Sequence, residues 1–419
     1  MSGGVVHVVG AGLAGLSAAV ALAGSGCRVM LYEAGPAAGG RCRSYFDREL
    51  GCRIDNGNHM LLSGNHATMA YLETIGARNT LAGPGGAFFP FVDLSTGERW
   101  TVAPNEGRIP WWVLAKARGV KGARLADFLA LLKLRGARGD EDVASVLGGA
   151  GVLYRRLLEP LAIAALNTKP DVALARLLRA VVEETLMRGG AACHPLVPRV
   201  GLSESFVDPA LAWLSARGAT LHTGQRITAL DLEGSAVRGL ATGGETVTVA
   251  PGDAVVLAVP PWVAGGLLPG LAVPDRFEAI VNVHYRVAAP PGSAAIVGLV
   301  GGLAEWVFTK EGVVSITISA ANHLADMPAD ELARRCWVDT SRALGAEGDM
   351  PPFRVVKEKR ATFAATASQE RRRPEIRMVH DNLVLAGDWT ATGLPATIEG
   401  AIRSGRTAAG VLQQAGVLE

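Results

Sequence analysis

Aromatic residues make up only 5% of this 419-residue chain, and charged residues only 19%. So few charges in a chain that is 49% hydrophobic exclude a disordered or heavily solvated protein. Neither sign dominates: 41 Lys and Arg stand against 39 Asp and Glu, a net charge of +2 that implies no global field for nucleic acid. The five cysteines, Cys27, Cys42, Cys52, Cys193 and Cys336, are scattered without C-x-x-C pairs or metal-ligand spacing. That excludes a disulfide framework and a zinc site, and reads as reduced thiols in a cytosolic protein. Met1-Ser2-Gly3-Gly4 runs straight into an apolar strand with no charged leader. The uncharged run Ala254 to Pro274 is long enough to suggest a membrane span, but Pro260-Pro261, Gly265-Gly266 and Pro269-Gly270 break it into a strand and a short helix. The length fits two or three domains with ample core.

What is present begins at once. Val5-Val6-His7-Val8-Val9 reads as a buried strand, Gly10-Ala11-Gly12-Leu13-Ala14-Gly15 as a glycine turn, and Ala14 to Ala23 as a helix. A second strand, Val29-Met30-Leu31-Tyr32, ends in Glu33. This is a βαβ dinucleotide pattern. Gly10 permits the tight turn, Gly12 lets backbone approach a pyrophosphate, and Gly15 lets helix and strand pack closely. Glu33 is placed to accept from ribose hydroxyls. The small-residue loop Gly35 to Gly40 then delivers Arg41 towards the same phosphates, with Arg43 as a second candidate.

Further on, Asp55-Asn56-Gly57 predicts a turn between two apolar pieces, and Asp55, Asn56 and His59 form a compact polar group. Phe88 to Val92 leads into a short strand pair around Thr96-Gly97. Residues 108–138 carry eight basic residues against the single acid Asp127, with Trp111-Trp112 and a run of leucines. Such a segment fits a monotopic membrane contact, and it equally fits a solvated basic helix with a core-facing leucine stripe. Asp142 to Arg188 reads as helical with breaks at Pro160 and Pro170, and Asn167 suits a helix C-cap. A helix over Leu202 to Ala219 precedes alternating strands that end in Ala254 to Val259, apolar throughout as a parallel sheet requires. Strand-like pieces at Ala279 to Val287, Trp306 to Phe308 and Val313 to Ile318 and a helix over Asp330 to Leu344 form a second excursion.

Near the end, Leu383-Val384-Leu385-Ala386-Gly387-Asp388 reads as a buried strand that delivers an acid to the sheet's lip. After a glycine and proline loop a helix starts near Thr397. An acid and a second helix N-terminus at one site suit a ribityl chain and a flavin ring's electron-rich edge. No second G-x-G-x-x-G follows a strand, since Gly148-Gly149-Ala150-Gly151 lies among helical segments, so no nicotinamide domain is expected.

Together the two ends resemble the flavin amine oxidase and phytoene desaturase superfamily. Ile54-Asp55-Asn56-Gly57-x-His59, Glu159-Pro160-Leu161-x-x-Ala164-Ala165-Leu166-Asn167-Thr168-x-Pro170 and Pro198-Arg199-Val200-x-Leu202-Ser203-Glu204 resemble one branch of it across essentially the whole chain. That branch is the squalene-associated FAD-dependent desaturases of bacterial hopanoid pathways, understood as hydroxysqualene dehydroxylases. It usually has glutamine where Asn58 stands and a tyrosine near His66.

The resemblance implies an α/β fold: a Rossmann-like FAD-binding domain of the GR2 type, from 1–82, 193–270 and 374–419, with a discontinuous mixed α+β substrate domain from 83–192 and 271–373. It implies FAD held at Gly10, Gly12, Ala14, Gly15, Gly40 and Arg41 along the pyrophosphate and at Glu33 and Ala34 near the ribose. Ile227 would meet adenine, Gly387 and Asp388 the ribityl chain, and the Thr397 and Ile398 backbone the ring. The implied substrate is a hydrophobic C30 isoprenoid. The expected setting is cytoplasmic, peripheral on the inner face of the membrane, with an external electron donor or reductase. The resemblance supplies no clear catalytic base. Replacing hydroxyl by hydride needs a proton donor in a dry apolar tunnel, for which His59 and Asp55 are the candidates, with Asn167 as an orienting group. A phytoene-type desaturase remains an alternative. An amine oxidase would need an aromatic where Thr397 stands. A flavin-free isoprenoid carrier would not need Glu33, Arg41 and Asp388.

Overall fold

The computed structural model describes residues 4–416. Met1 to Gly3, on which the expectation of no leader falls, and 417–419, the end of the third expected cofactor-domain segment, lie outside the described residues. Two sheets organise the rest. In the first, six strands run in the order Thr220–Thr223, Arg28–Glu33, Val5–Val9, Ala254–Leu257, Leu383–Leu385, Met378–His380. The first five are parallel and the last is antiparallel to its neighbour. Val6, Val8, Ala254, Val255, Val256 and Leu257 are wholly buried, because helices or strands cover both faces. The helix Leu13–Gly24 is buried along most of its length and packs against Ile398–Gln414. Their approach is close: a Cβ on Gly405 would lie 2.1 Å from the Ala14 carbonyl oxygen. The start, middle and end of the chain thus share one layer.

The second sheet has seven strands, Phe353–Phe363, Phe277–Tyr285, Val313–Ile318, Trp306–Lys310, Ile296–Val300, Phe89–Asp93 and Arg99–Val102. One face packs on the amphipathic helix Ala329–Leu344 through Val281, Val283, Ile316 and Leu332. The other sends Phe91, Trp306 and Phe308 into a helical layer that includes Leu134, Leu158 and Leu178.

Three local expectations are corrected. Pro160 does not break its helix. Gly151–Leu153, the wide π-turn Tyr154–Leu158 and Glu159–Leu166 follow without interruption, and the wide turn relieves the clash between the proline ring and the preceding carbonyls. The chain does bend at Asn56-Gly57, but the apolar pieces on either side do not pair with one another. Cys52–Asp55 pairs backwards with Ser44–Asp47, whereas Leu61–Leu62 pairs with Pro195–Pro198. The helix expected over Leu202 to Ala219 opens with a π-turn, Ser203–Val207, and regular α-helix covers only Asp208–Ser215.

Candidate functional site

The glycine turn divides its labour by geometry. Gly10 has φ +102°, and a Cβ there would fall 2.4 Å from the Ala258 carbonyl oxygen. At Gly15 a Cβ would fall 1.9 Å from the Gly10 oxygen. Gly12 differs, since a Cβ on it would meet nothing within 4 Å. The helix behind it starts with no side-chain cap and no acid in its first turn, so its first N–H groups are open to an anion. The loop that carries Arg41 lies over this turn: Gly39 donates to the Ala11 carbonyl at 2.8 Å, and Gly12 and Gly39 form a parallel bridge. Glu33 staples both pieces, accepting from the N–H groups of Ala11 at 3.0 Å and Gly35 at 2.8 Å. Ala34 beside it is exposed. Buried Ile227 follows Gln225, whose N–H reaches the Glu33 carbonyl at 3.0 Å.

Arg41 reaches across to the far end of the chain. Its Nη2 donates to both Asp388 carboxylate oxygens, at 2.8 and 2.7 Å, and Nη1 donates to the Ala361 carbonyl. Its side chain is 42% exposed, yet burial is the largest influence on its ionisation, opposed by the Asp388 charge that leaves its pKa raised. That surface lies at the junction where the loop over the glycine turn meets the far end of the chain, and this junction is the cleft. Gly387 fixes Asp388 by donating to Ser404 Oγ at 2.9 Å. Thr397 caps the following helix, its Oγ1 accepting from Gly400 at 3.0 Å. Glu399 turns away and accepts from Ala67, Thr68 N and Thr68 Oγ1 at 3.0, 2.8 and 2.7 Å. It thereby caps the helix His66–Thr74, which has no side-chain cap of its own.

The loop from Asp55 to Met60 runs from this cleft onto the seven-stranded sheet. Buried Asp55 accepts from Ser44 Oγ at 2.6 Å and Leu202 N at 2.9 Å and pairs with Lys310 Nζ. Its oxygens are committed to these partners. His59 makes no side-chain hydrogen bond among the described residues, and burial pushes its imidazole down to about 4 although some of its surface stays accessible. The ring is therefore neutral at pH 7. Asn167 adopts φ 47° at the end of its helix. Its Nδ2 donates to Thr362 Oγ1 at 2.9 Å and the Glu278 carbonyl at 3.3 Å, while Oδ1 accepts from Ala320 N at 2.7 Å. That carboxamide braces three segments.

Sequence reasoning missed the residues opposite this loop. Lys310, Glu358, Asn282 and Thr317 come from four strands of the seven-stranded sheet. Asn56 Nδ2 donates to Glu358 Oε2 at 3.4 Å, and Asn58 Nδ2 to Thr317 Oγ1 at 3.1 Å. The available signal was a lone polar residue inside an apolar run, as in Ile280-Val281-Asn282-Val283. Among the described residues no cluster of three or more His, Cys, Asp or Glu could hold a metal.

Segment 108–138 splits its apolar residues. Trp112, Val120, Ala130 and Leu134 point inward, while Ile109, Trp111, Leu114, Leu125, Leu129 and Leu132 are exposed among basic side chains. No helix among the described residues is long and apolar enough to cross a membrane.

A family profile described as flavin containing amine oxidoreductase matches residues 13–290 and 308–413. A hydroxysqualene dehydroxylase of Sinorhizobium fredii is 49% identical over 404 residues, covering 96% of this chain and 97% of the relative. One from Rhodopseudomonas palustris is 47% identical, covering 98% and 99%. A probable zeta-carotene desaturase of Synechococcus elongatus is more distant, 26% identical over 60% of this chain and 55% of its own. Among solved structures, an oxidoreductase from Methanosarcina mazei superimposes with a TM-score of 0.72 at 14% identity, covering 96% of this chain and 99% of its own, a likeness of fold. The chain belongs to the flavin containing amine oxidoreductase family, on the branch formed by the hydroxysqualene dehydroxylases that match it end to end.

Proposed function

We propose that this protein is an FAD-dependent hydroxysqualene dehydroxylase, which replaces the hydroxyl of hydroxysqualene by hydride to give squalene. The observation that carries the reading is the single cleft shared by both ends of the chain: open space at Gly12, two helix N-termini, and Arg41 between them and Asp388. These features fit FAD. Gly10, Gly12, Ala14, Gly15, Gly40 and Arg41 would hold its pyrophosphate, with Arg41 exchanging part of its Asp388 contact for phosphate. Glu33, Ala34 and Ile227 would hold the adenosine, Gly387 and Asp388 the ribityl chain, and the Thr397 and Ile398 backbone the ring. Segments 1–82, 193–270 and 374–419 would form the cofactor half, and 83–192 and 271–373 the substrate half. Reduced flavin, once bound, supplies the hydride and is returned to the reduced state by an external donor or reductase.

The chain's own residues must exclude water and handle one proton. As the carbon–oxygen bond breaks, the oxygen leaves as water, taking a proton, and the hydride completes the new C–H bond. Apolar side chains of the helical layer keep water from the developing cation. Asp55, paired with Lys310, fixes the loop. His59 is the proton relay: held neutral by burial, its imidazolium is a strong acid whenever it forms. Asn167 holds the sheet and helix at the far side.

The exposed apolar residues of 108–138, set among lysines and arginines, would rest on the inner face of the cytoplasmic membrane, from which so apolar a substrate must come. The test is anaerobic incubation of the reduced holoenzyme with hydroxysqualene and, separately, phytoene, following flavin oxidation and product mass. Oxidation with squalene formation is expected for the first only. Oxidation by neither overturns the reading, and reaction of oxidised enzyme with phytoene moves it to a desaturase.

A further inference from the structure

The face of the seven-stranded sheet turned away from the helix Ala329–Leu344 carries polar residues among its apolar ones. Across two neighbouring strands, Asn282 stands opposite Thr317 and His284 opposite Ser315. Asn282 is 1% exposed. Its Oδ1 accepts from Thr317 Oγ1 at 2.8 Å and, at 3.4 Å each, from the N–H and Nδ2 of Asn58. A backbone N–H can only donate, so the orientation of this carboxamide is fixed and its Nδ2 must lie on the other side. There, among the described residues, it donates to nothing. Gly57 lies over it without a side chain, and a Cβ there would come within 3.2 Å of Asn282 Nδ2. The neighbouring loop residues Asn58 and His59 keep accessible surface. Nδ2 is not one of the fully enclosed unpartnered atoms, so this donor in an otherwise buried side chain keeps a little open surface, where a ligand can complete it.

The geometry points to Asn282 Nδ2 as the donor that seats the substrate's leaving hydroxyl, with Asn58 and Thr317 holding the carboxamide in position. This rests on the dehydroxylase reading and adds the group that tells the alcohol from its hydrocarbon product. The hydroxyl oxygen accepts one hydrogen bond from Asn282, which aligns the C–O bond before it breaks, while the departing proton comes from elsewhere. Squalene offers no acceptor and leaves the donor empty, which favours product release.

The test compares binding of hydroxysqualene and squalene to the oxidised holoenzyme, with turnover measured on the same preparation. The parent should prefer the alcohol by at least ~10-fold, as expected for one buried hydrogen bond. Asn282→Ala should bring the preference to near one, with squalene affinity and flavin content unchanged. Thr317→Val, which keeps the donor but loosens it, should lower the preference by a few-fold, and it carries the test should the first variant not fold. A preference retained in both variants, or an equal loss of affinity for both ligands, overturns the inference while turnover still supports a dehydroxylase. Absence of both turnover and alcohol binding in the parent overturns the dehydroxylase reading, and the inference with it.

Discussion

In the six-stranded sheet, polar side chains are closed off. His7 lies between Tyr32 Oη at 3.0 Å and Asp253 Oδ2 at 3.4 Å. Asn382 accepts from Val237 N at 2.8 Å and donates to the Val237 and Asp253 carbonyls at 3.0 and 3.1 Å. In the seven-stranded sheet the equivalent groups stay open. His284 bonds Ser315 through Nδ1 at 2.8 Å while its buried Nε2 has no partner, and Asn282 keeps a free donor. On the proposed reading the first sheet would offer its ligand mainly backbone and helix ends, with Glu33, Arg41 and Asp388 beside them, whereas the second would offer side chains, and there the choice of residue matters.

The largest effect should come from closing the space the first sheet relies on. Gly15→Ala places a methyl group against the Gly10 oxygen and should cost about 4 kcal/mol or more, read as lost flavin and a collapsed melting temperature. Gly12→Ala separates packing from binding: its Cβ has room, so the apoprotein should melt within about 0.5 kcal/mol of the parent while flavin content drops sharply. In the second sheet, Lys310→Met leaves the Asp55 carboxylate buried and unpaired, at a cost of about 3–5 kcal/mol in chemical denaturation. Low pH probes the same region. Burial holds His284 and His59 at about 4 against an ordinary 6.5. As pH falls the unfolded chain takes up these protons first, so stability present above 6.5 should drain away between 6.5 and 4. Buried His284 alone contributes on the order of 3 kcal/mol, and His284→Gln should flatten that slope in melts across the window. Smallest in stability is Leu129→Ser with Leu132→Ser, neutral within about 0.5 kcal/mol. The pair should reduce sedimentation with anionic vesicles several-fold, and unchanged sedimentation would remove segment 108–138 from the membrane.

These contrasts also explain what the sequence discloses. Val5 to Glu33 is readable because strand, turn and helix follow one another locally, and Gly15 answers to Gly10 five residues before it. Ala254–Leu257 is readable because a strand buried on both faces tolerates no polar residue. The strand Phe353–Phe363 escapes notice because Arg354, Lys357, Glu358, Lys359 and Arg360 hide its alternation, although it pairs along its length with Phe277–Tyr285. The pairing of Lys310 with Asp55, 255 residues away, cannot be read from either residue alone. Arg41 and Asp388 were each singled out for the cofactor, and their contact with one another could not be foreseen. Pro160 misleads because the wide turn that receives it has no signature in composition.

The close seat of Gly405 on the first helix bears on how the protein is made. The strand Val5–Val9 leaves the ribosome early, yet its neighbour Ala254–Leu257 follows some 250 residues later, and the helix that covers it comes last. Until Ile398–Gln414 docks, the cofactor cleft lacks one wall and the greasy first helix lacks its cover. Loading of the cofactor therefore waits for that helix, and the nascent chain must keep its opening segment from aggregating until then.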